Sequence, residues 1–248
     1  MVSIYRGNHP DRKKGMSPSP ANGLKILNEE IISCCKCPRL VRFRESVARS
    51  KRRAFQNWEY WGKPIPGFGD PRAQLLIIGL APAAHGGNRT GRAFTGDRSG
   101  AFLFEALHRA GFANKPKSVS RDDNLKLENA YIGVAVRCAP PANKPLPSEF
   151  QNCQPYLETE LRILEPKAVL VLGGIAFRVY LQILKREGLI SSHAAYPFEH
   201  GAVHQLPGGL PRIFASYHPS QQNTFTGRLT QAMLARVLLD IRKYLHES

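Results

Sequence analysis

Four short apolar runs, at residues 75–80, 131–136, 168–172 and 213–217, punctuate the chain at wide spacing. Each is rich in β-branched, leucine or aromatic residues and lacks the polar alternation of a half-exposed strand. That pattern predicts parallel strands covered on both faces. Between the runs, apolar residues recur at helical spacing. Residues 99–111 carry Phe102, Leu103, Leu107 and Ala110 and stop at Gly111, a helix-terminating residue. Ser148-Glu149-Phe150-Gln151 is a capping-box pattern and predicts a helix opening there and running to Leu164. Residues 175–186 repeat apolar positions with helical period, and 229–245 set Leu229, Met233, Val237, Leu238, Ile241 and Leu245 along one stripe. Strand–helix alternation predicts an α/β protein, its parallel sheet enclosed between helix layers and joined by right-handed crossovers.

The N-terminal third has a different texture. Residues 1–20 hold three prolines and the run Arg12-Lys13-Lys14 with little to bury, and read as a disordered basic tail. Residues 21–248 then form a single domain. Residues 24–32 predict a short helix, and 42–53, with Arg42, Arg44, Arg49, Lys51, Arg52 and Arg53, a helix with one basic face. Residues 58–69 are an aromatic loop broken by glycine and proline. Its rings suit stacking on bases, and equally suit pinning a loop to its own domain. Residues 114–129 are a polar surface excursion.

Charge narrows the class of partner. Thirty-five Lys and Arg against 19 Asp and Glu give a net +16, and more than half of that excess lies in the first 72 residues. Such a surface fits a polyanion, nucleic acid above all. No apolar run approaches the ~20 residues of a membrane span, and the N-terminus lacks the hydrophobic stretch of a secretory signal, so the expected setting is the cytoplasm without membrane association. Five cysteines, an odd count without a secretion signal, argue against a disulfide framework. Cys34 and Cys37 have the spacing of paired ligands, and Cys138 and Cys153 flank the predicted helix start, so the four could converge on one ion or cluster. Four thiolates suit zinc or a [4Fe–4S] cluster alike, and spacing does not choose. Cys35 is the spare.

Candidate chemistry concentrates at the predicted carboxyl ends of the strands, where open α/β sheets bind ligands. The first strand runs into Gly79-Leu80-Ala81-Pro82-Ala83-Ala84-His85-Gly86-Gly87-Asn88-Arg89-Thr90-Gly91-Arg92-Ala93-Phe94-Thr95-Gly96-Asp97, whose glycines permit sharp turns and close approach to a ligand. The fourth strand leads to Tyr217-His218-Pro219-Ser220 and a polar loop ending at Arg228. On a shared sheet edge, His218 faces Phe94 and Asp97 across a cleft. The second strand leads to a proline-rich loop with Asn143 at its tip, whose amide offers both a donor and an acceptor. Each of these residues also has a purely structural reading, His218 as a satisfied histidine and Asn143 as a turn residue.

Together these blocks resemble the uracil-DNA glycosylase superfamily, and within it the family 5, or type-b, enzymes of bacteria and archaea. The resemblance rests on Gly79-Leu80-Ala81-Pro82-Ala83, Gly91-Arg92-Ala93-Phe94-Thr95-Gly96-Asp97, Val136-Arg137-Cys138-Ala139-Pro140-Pro141 with Asn143-Lys144-Pro145, and His218-Pro219-Ser220 with Thr226-Gly227-Arg228-Leu229. It implies a three-layer α/β/α sandwich around a four-stranded parallel sheet. It also implies a structural [4Fe–4S] cluster on Cys34, Cys37, Cys138 and Cys153, with zinc as the alternative. The related family 4 enzymes carry Glu where this chain has Leu80 and Asn where it has Val134. The usual water-activating carboxylate and base-reading amide are therefore absent, as in other family 5 members, which look broader in substrate range.

The implied activity is excision of uracil and other damaged bases from double- or single-stranded DNA by a monomer that flips the nucleotide out. Phe94 then stacks on the base, with Leu80, Ala81, Ala84 and His85 around it. Asp97 replaces the lost carboxylate, His218 donates to the departing pyrimidine, and Asn143 holds base or water. Ser220, Asn223 and Arg228 contact DNA from a loop that wedges into the duplex. Two rivals come from other classes. A noncatalytic metal-containing module would bind nucleic acid without making an abasic site. A nucleotide-dependent enzyme would use the glycine-rich loop as a phosphate cradle, but the chain lacks both Gly-Lys-Ser/Thr after that loop and a Gly-x-Gly-x-x-Gly run.

Overall fold

Leu75–Gly79 (β2), Ala130–Val134 (β3), Ala168–Leu172 (β4) and Arg212–Ser216 (β6) form the centre of the sheet, each within a residue or two of its apolar run. The computed structural model describes residues 19–247. The four strands are mutually parallel in the order β3-β2-β4-β6. Two-residue strands, Phe68–Gly69 (β1) beside β3 and Val203–His204 (β5) beside β6, pair antiparallel at the edges and bring the sheet to six strands. Two residues carry no periodicity, so the sequence predicted four strands.

Alternate residues of each central strand enter opposite cores, which is why the runs show no polar positions. Leu75 and Ile77 of β2 and Leu170 and Leu172 of β4 pack on one face with Arg98–Arg109 (α4) and Gln231–Glu247 (α8). Leu76, Ile78, Val169 and Val171 face the other side, under Pro20–Ser33 (α1), Pro147–Leu164 (α5) and Gly174–Arg186 (α6). Three layers result, as expected.

Helix boundaries follow local chemistry. Residues 1–18 of the expected tail lie outside the described residues; Ser19 caps α1 and Pro20 opens it, four residues before the predicted start. The basic helix is Pro38–Ser50 (α2), and Lys51, with φ of 50°, ends it before Arg52. A 3-10 turn at Arg53–Phe55 follows. α5 starts at Pro147 rather than after Ser148, because proline suits the first helical position. The predicted capping function falls to Glu149, whose carboxylate accepts from the Leu146 amide at 2.7 Å and from Arg39. Two short helices, Gly87–Thr90 (α3) and Gln221–Phe225 (α7), interrupt the segments read as loops. No helix among the described residues is long and apolar enough to cross a membrane.

Candidate active site

The carboxyl ends of β2, β3 and β6 open onto a cleft of about 440 Å³. Leu80, Ala81, Phe94, Asp97, Asn143, His218 and Ser220 line it, so the cleft unites seven predicted site residues from three loops. Its apolar lining includes Leu80, Pro82 and the buried Ala93 and Val134.

Phe94 is placed by backbone strain and close packing. Its φ of 52° lies in the left-handed region, costly for a residue with a side chain. The ring lies against Gly79, where a Cβ would come within 2.8 Å of it, and tilts toward the His218 ring at 5.8 Å between centroids. Asp97 is the N-cap of α4, accepting from the Gly100 amide at 2.8 Å. Its other oxygen rests on Gly86, where a Cβ would stand 2.0 Å from Oδ2. Burial pushes the Asp97 carboxyl up, opposed by the amide hydrogen bonds and by the Arg89 guanidinium. Burial also holds His218 down to about 4, so its ring is neutral near pH 7. Neither of its ring nitrogens bonds to a described residue, while its carbonyl is fixed by Asn223 Nδ2 at 2.8 Å and the Ser220 amide at 2.8 Å. Asn143 is exposed at the loop tip with φ of 56°.

Other predicted contacts stand elsewhere. His85 directs Nδ1 to the Tyr60 hydroxyl at 3.1 Å, away from the cleft, and Ala84 beside it does not line the cavity. Asn223 bonds to the His218 carbonyl. Arg228 stacks over Tyr217 at 4.5 Å, and both line a neighbouring cavity that shares Leu80 and His218 with the cleft. The cleft includes Arg98, Ser99, Gln221 and Gln222, which sequence reasoning did not single out. The first two follow a helix cap, and the glutamines sit in a short helix with no apolar stripe to announce it. Phe225, at the end of α7, is 69% exposed with Arg98 over its ring, a conspicuous apolar side chain beside the cleft mouth.

Cys34, Cys37, Cys138 and Cys153 line one small cavity between α1, α2, the β3 end and α5. Among the described residues, no three His, Cys, Asp or Glu side chains form a group able to hold a metal ion as they stand. Donors nevertheless converge on the sulfurs: Arg44 Nη1 on Cys138 at 2.9 Å, Asn152 Nδ2 on Cys37 at 3.4 Å and the Arg137 amide on Cys153 at 3.5 Å. Burial pushes the Cys138 thiol up to about 12 and Cys153 up to about 11, so these sulfurs ionise near neutrality only beside a further cation. Cys35 is exposed, outside the cavity wall.

Comparison with known proteins places this architecture. Residues 66–242 match the model of the uracil DNA glycosylase superfamily, and the chain belongs to that superfamily. It is 49% identical to the type-5 uracil-DNA glycosylase of Mycobacterium leprae over 225 residues, covering 90% of this chain and 96% of the relative. Identity to the type-5 enzyme of Thermus thermophilus is 50%, over 87% of this chain and 95% of the relative. A type-4 uracil-DNA glycosylase of Pyrobaculum aerophilum is more distant, at 31% over 66% of this chain and 67% of the relative. Within the superfamily the chain is a type-5 member.

Proposed function

We propose that the protein excises uracil from DNA by hydrolysing the N-glycosidic bond, leaving an abasic site. The observation that carries this reading is one cleft bearing a partly buried carboxylate, Asp97, a neutral histidine, His218, and the strained Phe94 ring. Its volume suits a flipped nucleotide, and its position at the strand ends suits a ligand site.

In this reading Phe94 stacks on the base. The bond from C1′ to the pyrimidine breaks with its electron pair leaving on the base, and the Asp97 carboxylate stabilises the sugar cation. Water adds to C1′, and Asp97 takes its proton. The neutral His218 ring donates a hydrogen bond to the departing oxyanion, and Asn143 closes over the base from the loop tip. The apolar lining of Leu80 and Val134 offers no side-chain amide to discriminate among bases. That supports a range extending to other deaminated or damaged bases. Ser220 and the α7 segment, with exposed Phe225, form the edge that meets the duplex. Asn223 braces that edge through the His218 carbonyl, and the exposed Arg228 contacts the DNA beside it.

The four cysteines fit a thiolate-bound group, since three protein donors already point at their sulfurs. We assign it as a structural [4Fe–4S] cluster on the family resemblance, with zinc the alternative. It would pin α1 and α2 to the body and takes no part in hydrolysis. The setting is the cytoplasm, on chromosomal DNA.

Single-turnover release of uracil from duplex and single-stranded oligonucleotides tests the activity. Asp97→Asn is expected to abolish measurable turnover. Loss of the donor in His218→Ala is expected to cost about 3 kcal/mol in the barrier, or roughly 100-fold in rate. Binding without abasic product in the wild type would favour a noncatalytic DNA-binding role, and near-normal rates in both variants would overturn the assignments.

A further inference from the structure

The aromatic segment before the matched superfamily region has a role that uracil recognition does not explain. From the 3-10 turn at Arg53–Phe55 it runs across α3, held by backbone bonds from Trp61 to the Arg89 carbonyl at 2.9 Å and from Gly62 to the Asn88 carbonyl at 3.0 Å. Phe55 and Trp58 face one guanidinium. Arg89 Cζ lies 3.9 Å from the Phe55 ring centroid and 4.1 Å from that of Trp58. The segment's aromatics are therefore engaged inside their own domain, which favours the pinned-loop reading over a base-stacking platform.

Arg89 is 3% exposed and spans the glycine-rich loop. Its Nε donates to the His85 carbonyl at 2.8 Å and its Nη2 to the Gly96 carbonyl at 2.7 Å, tying one part of the loop to the residue immediately before Asp97. The approach at Gly96 is close: φ is 75°, and a Cβ there would sit 2.4 Å from Nη2. A lysine has no planar fork to fill this slot.

We propose that Arg89 is a positioning residue. Gripped between Phe55 and Trp58, it locks the loop so that Asp97 stands over Gly86 at the cleft. Its charge adds to the backbone amide hydrogen bonds that oppose the upward push of burial on the Asp97 carboxyl. The inference rests on Asp97 being the working carboxylate. Around Asp97, Arg98 and His218 line the same cleft, His85 turns toward Tyr60, and Arg89 adds its charge from α3. Arg98 is exposed and His218 is neutral near pH 7, so Arg89 is the shielded cation of the set.

The test is the pH profile of single-turnover uracil release for wild type, Arg89→Gln, Arg89→Lys, Phe55→Leu and Asp97→Asn, with duplex affinity measured beside each rate. Arg89→Gln is expected to lose roughly 10- to 100-fold in rate at neutral pH. Its acid limb should move up, so that part of the loss recovers in alkali. Arg89→Lys should lose rate with a smaller shift of the limb, and Phe55→Leu should lose rate with its affinity for DNA retained. A profile for Arg89→Gln that superimposes on the wild type overturns the proposal. So does a loss equal at every pH and matched by an equal loss of affinity. If Arg89→Gln does not fold, Phe55→Leu decides, and a wild-type rate there overturns it. Activity surviving in Asp97→Asn instead refutes the catalytic reading itself, a result separate from any behaviour of Arg89.

Discussion

Asp97 meets opposing demands from burial and charge. Its carboxyl is pushed up by desolvation and held back by two backbone amides and Arg89, while His218 is held down to about 4. In the proposed mechanism the working pair is an ionised Asp97 with a neutral His218, and acidification removes that state by protonating either group. Single-turnover rates should fall along an acid limb above the ordinary carboxylate pKa of about 3.9. A limb at or below that value would contradict the burial argument. Gly86 gives a sharper test, because a Cβ there would occupy the place of Asp97 Oδ2. Gly86→Ala should cost about 100-fold in uracil release by displacing the carboxylate, with duplex binding retained. An unchanged rate would show that Asp97 tolerates displacement. Asp97 and His218 were legible in the sequence because strand ends mark where ligands bind and their motifs stood at two such ends. Arg89 was not, since its partners Phe55 and Trp58 lie far upstream and no local pattern connects them.

The elements divide in the same way between local and distant causes. The four central strands appeared as unbroken apolar runs because helices cover both faces. The edge strands are too short for any pattern, and α3 and α7 are single turns in polar or glycine-rich sequence. The cysteine cavity joins elements far apart in the chain: Cys34 and Cys37 at the α1–α2 junction, Cys138 just beyond β3 and Cys153 inside α5. Sequence spacing predicted their convergence and left the bound group open. If the cavity holds an iron–sulfur cluster, the purified protein should absorb broadly in the visible, and Cys138→Ser should bleach it. Limited proteolysis of that variant should cut first around α1 and α2, while the sheet stays resistant. A colourless wild-type protein containing stoichiometric zinc would assign the site to zinc instead.

At the scale of the whole molecule, the sheet sets the cleft at one edge and charge sets the terms of approach to DNA. The net +16 is weighted toward the first third, and Arg42, Arg49, Arg52 and Arg53 of α2 and the following turn are exposed. These cations do not line the cleft, where Arg98 is the cation present, so most of the basic surface lies apart from the proposed base site. Phosphate contacts release counterions and weaken steeply with salt, whereas stacking and hydrogen bonding to a flipped base do not. Affinity for uracil-containing and undamaged duplex should therefore fall in parallel as salt rises. If about six phosphates are neutralised, log–log slopes should lie near −5. The preference for uracil and the single-turnover rate at saturating enzyme should stay nearly constant across the same range. Replacing Arg49, Arg52 and Arg53 with Gln should flatten both slopes by about one unit for each phosphate left without its cation. A uracil preference that collapses with salt would show that the basic face takes part in base recognition, and a slope near zero would remove DNA backbone binding as the reason for the charge.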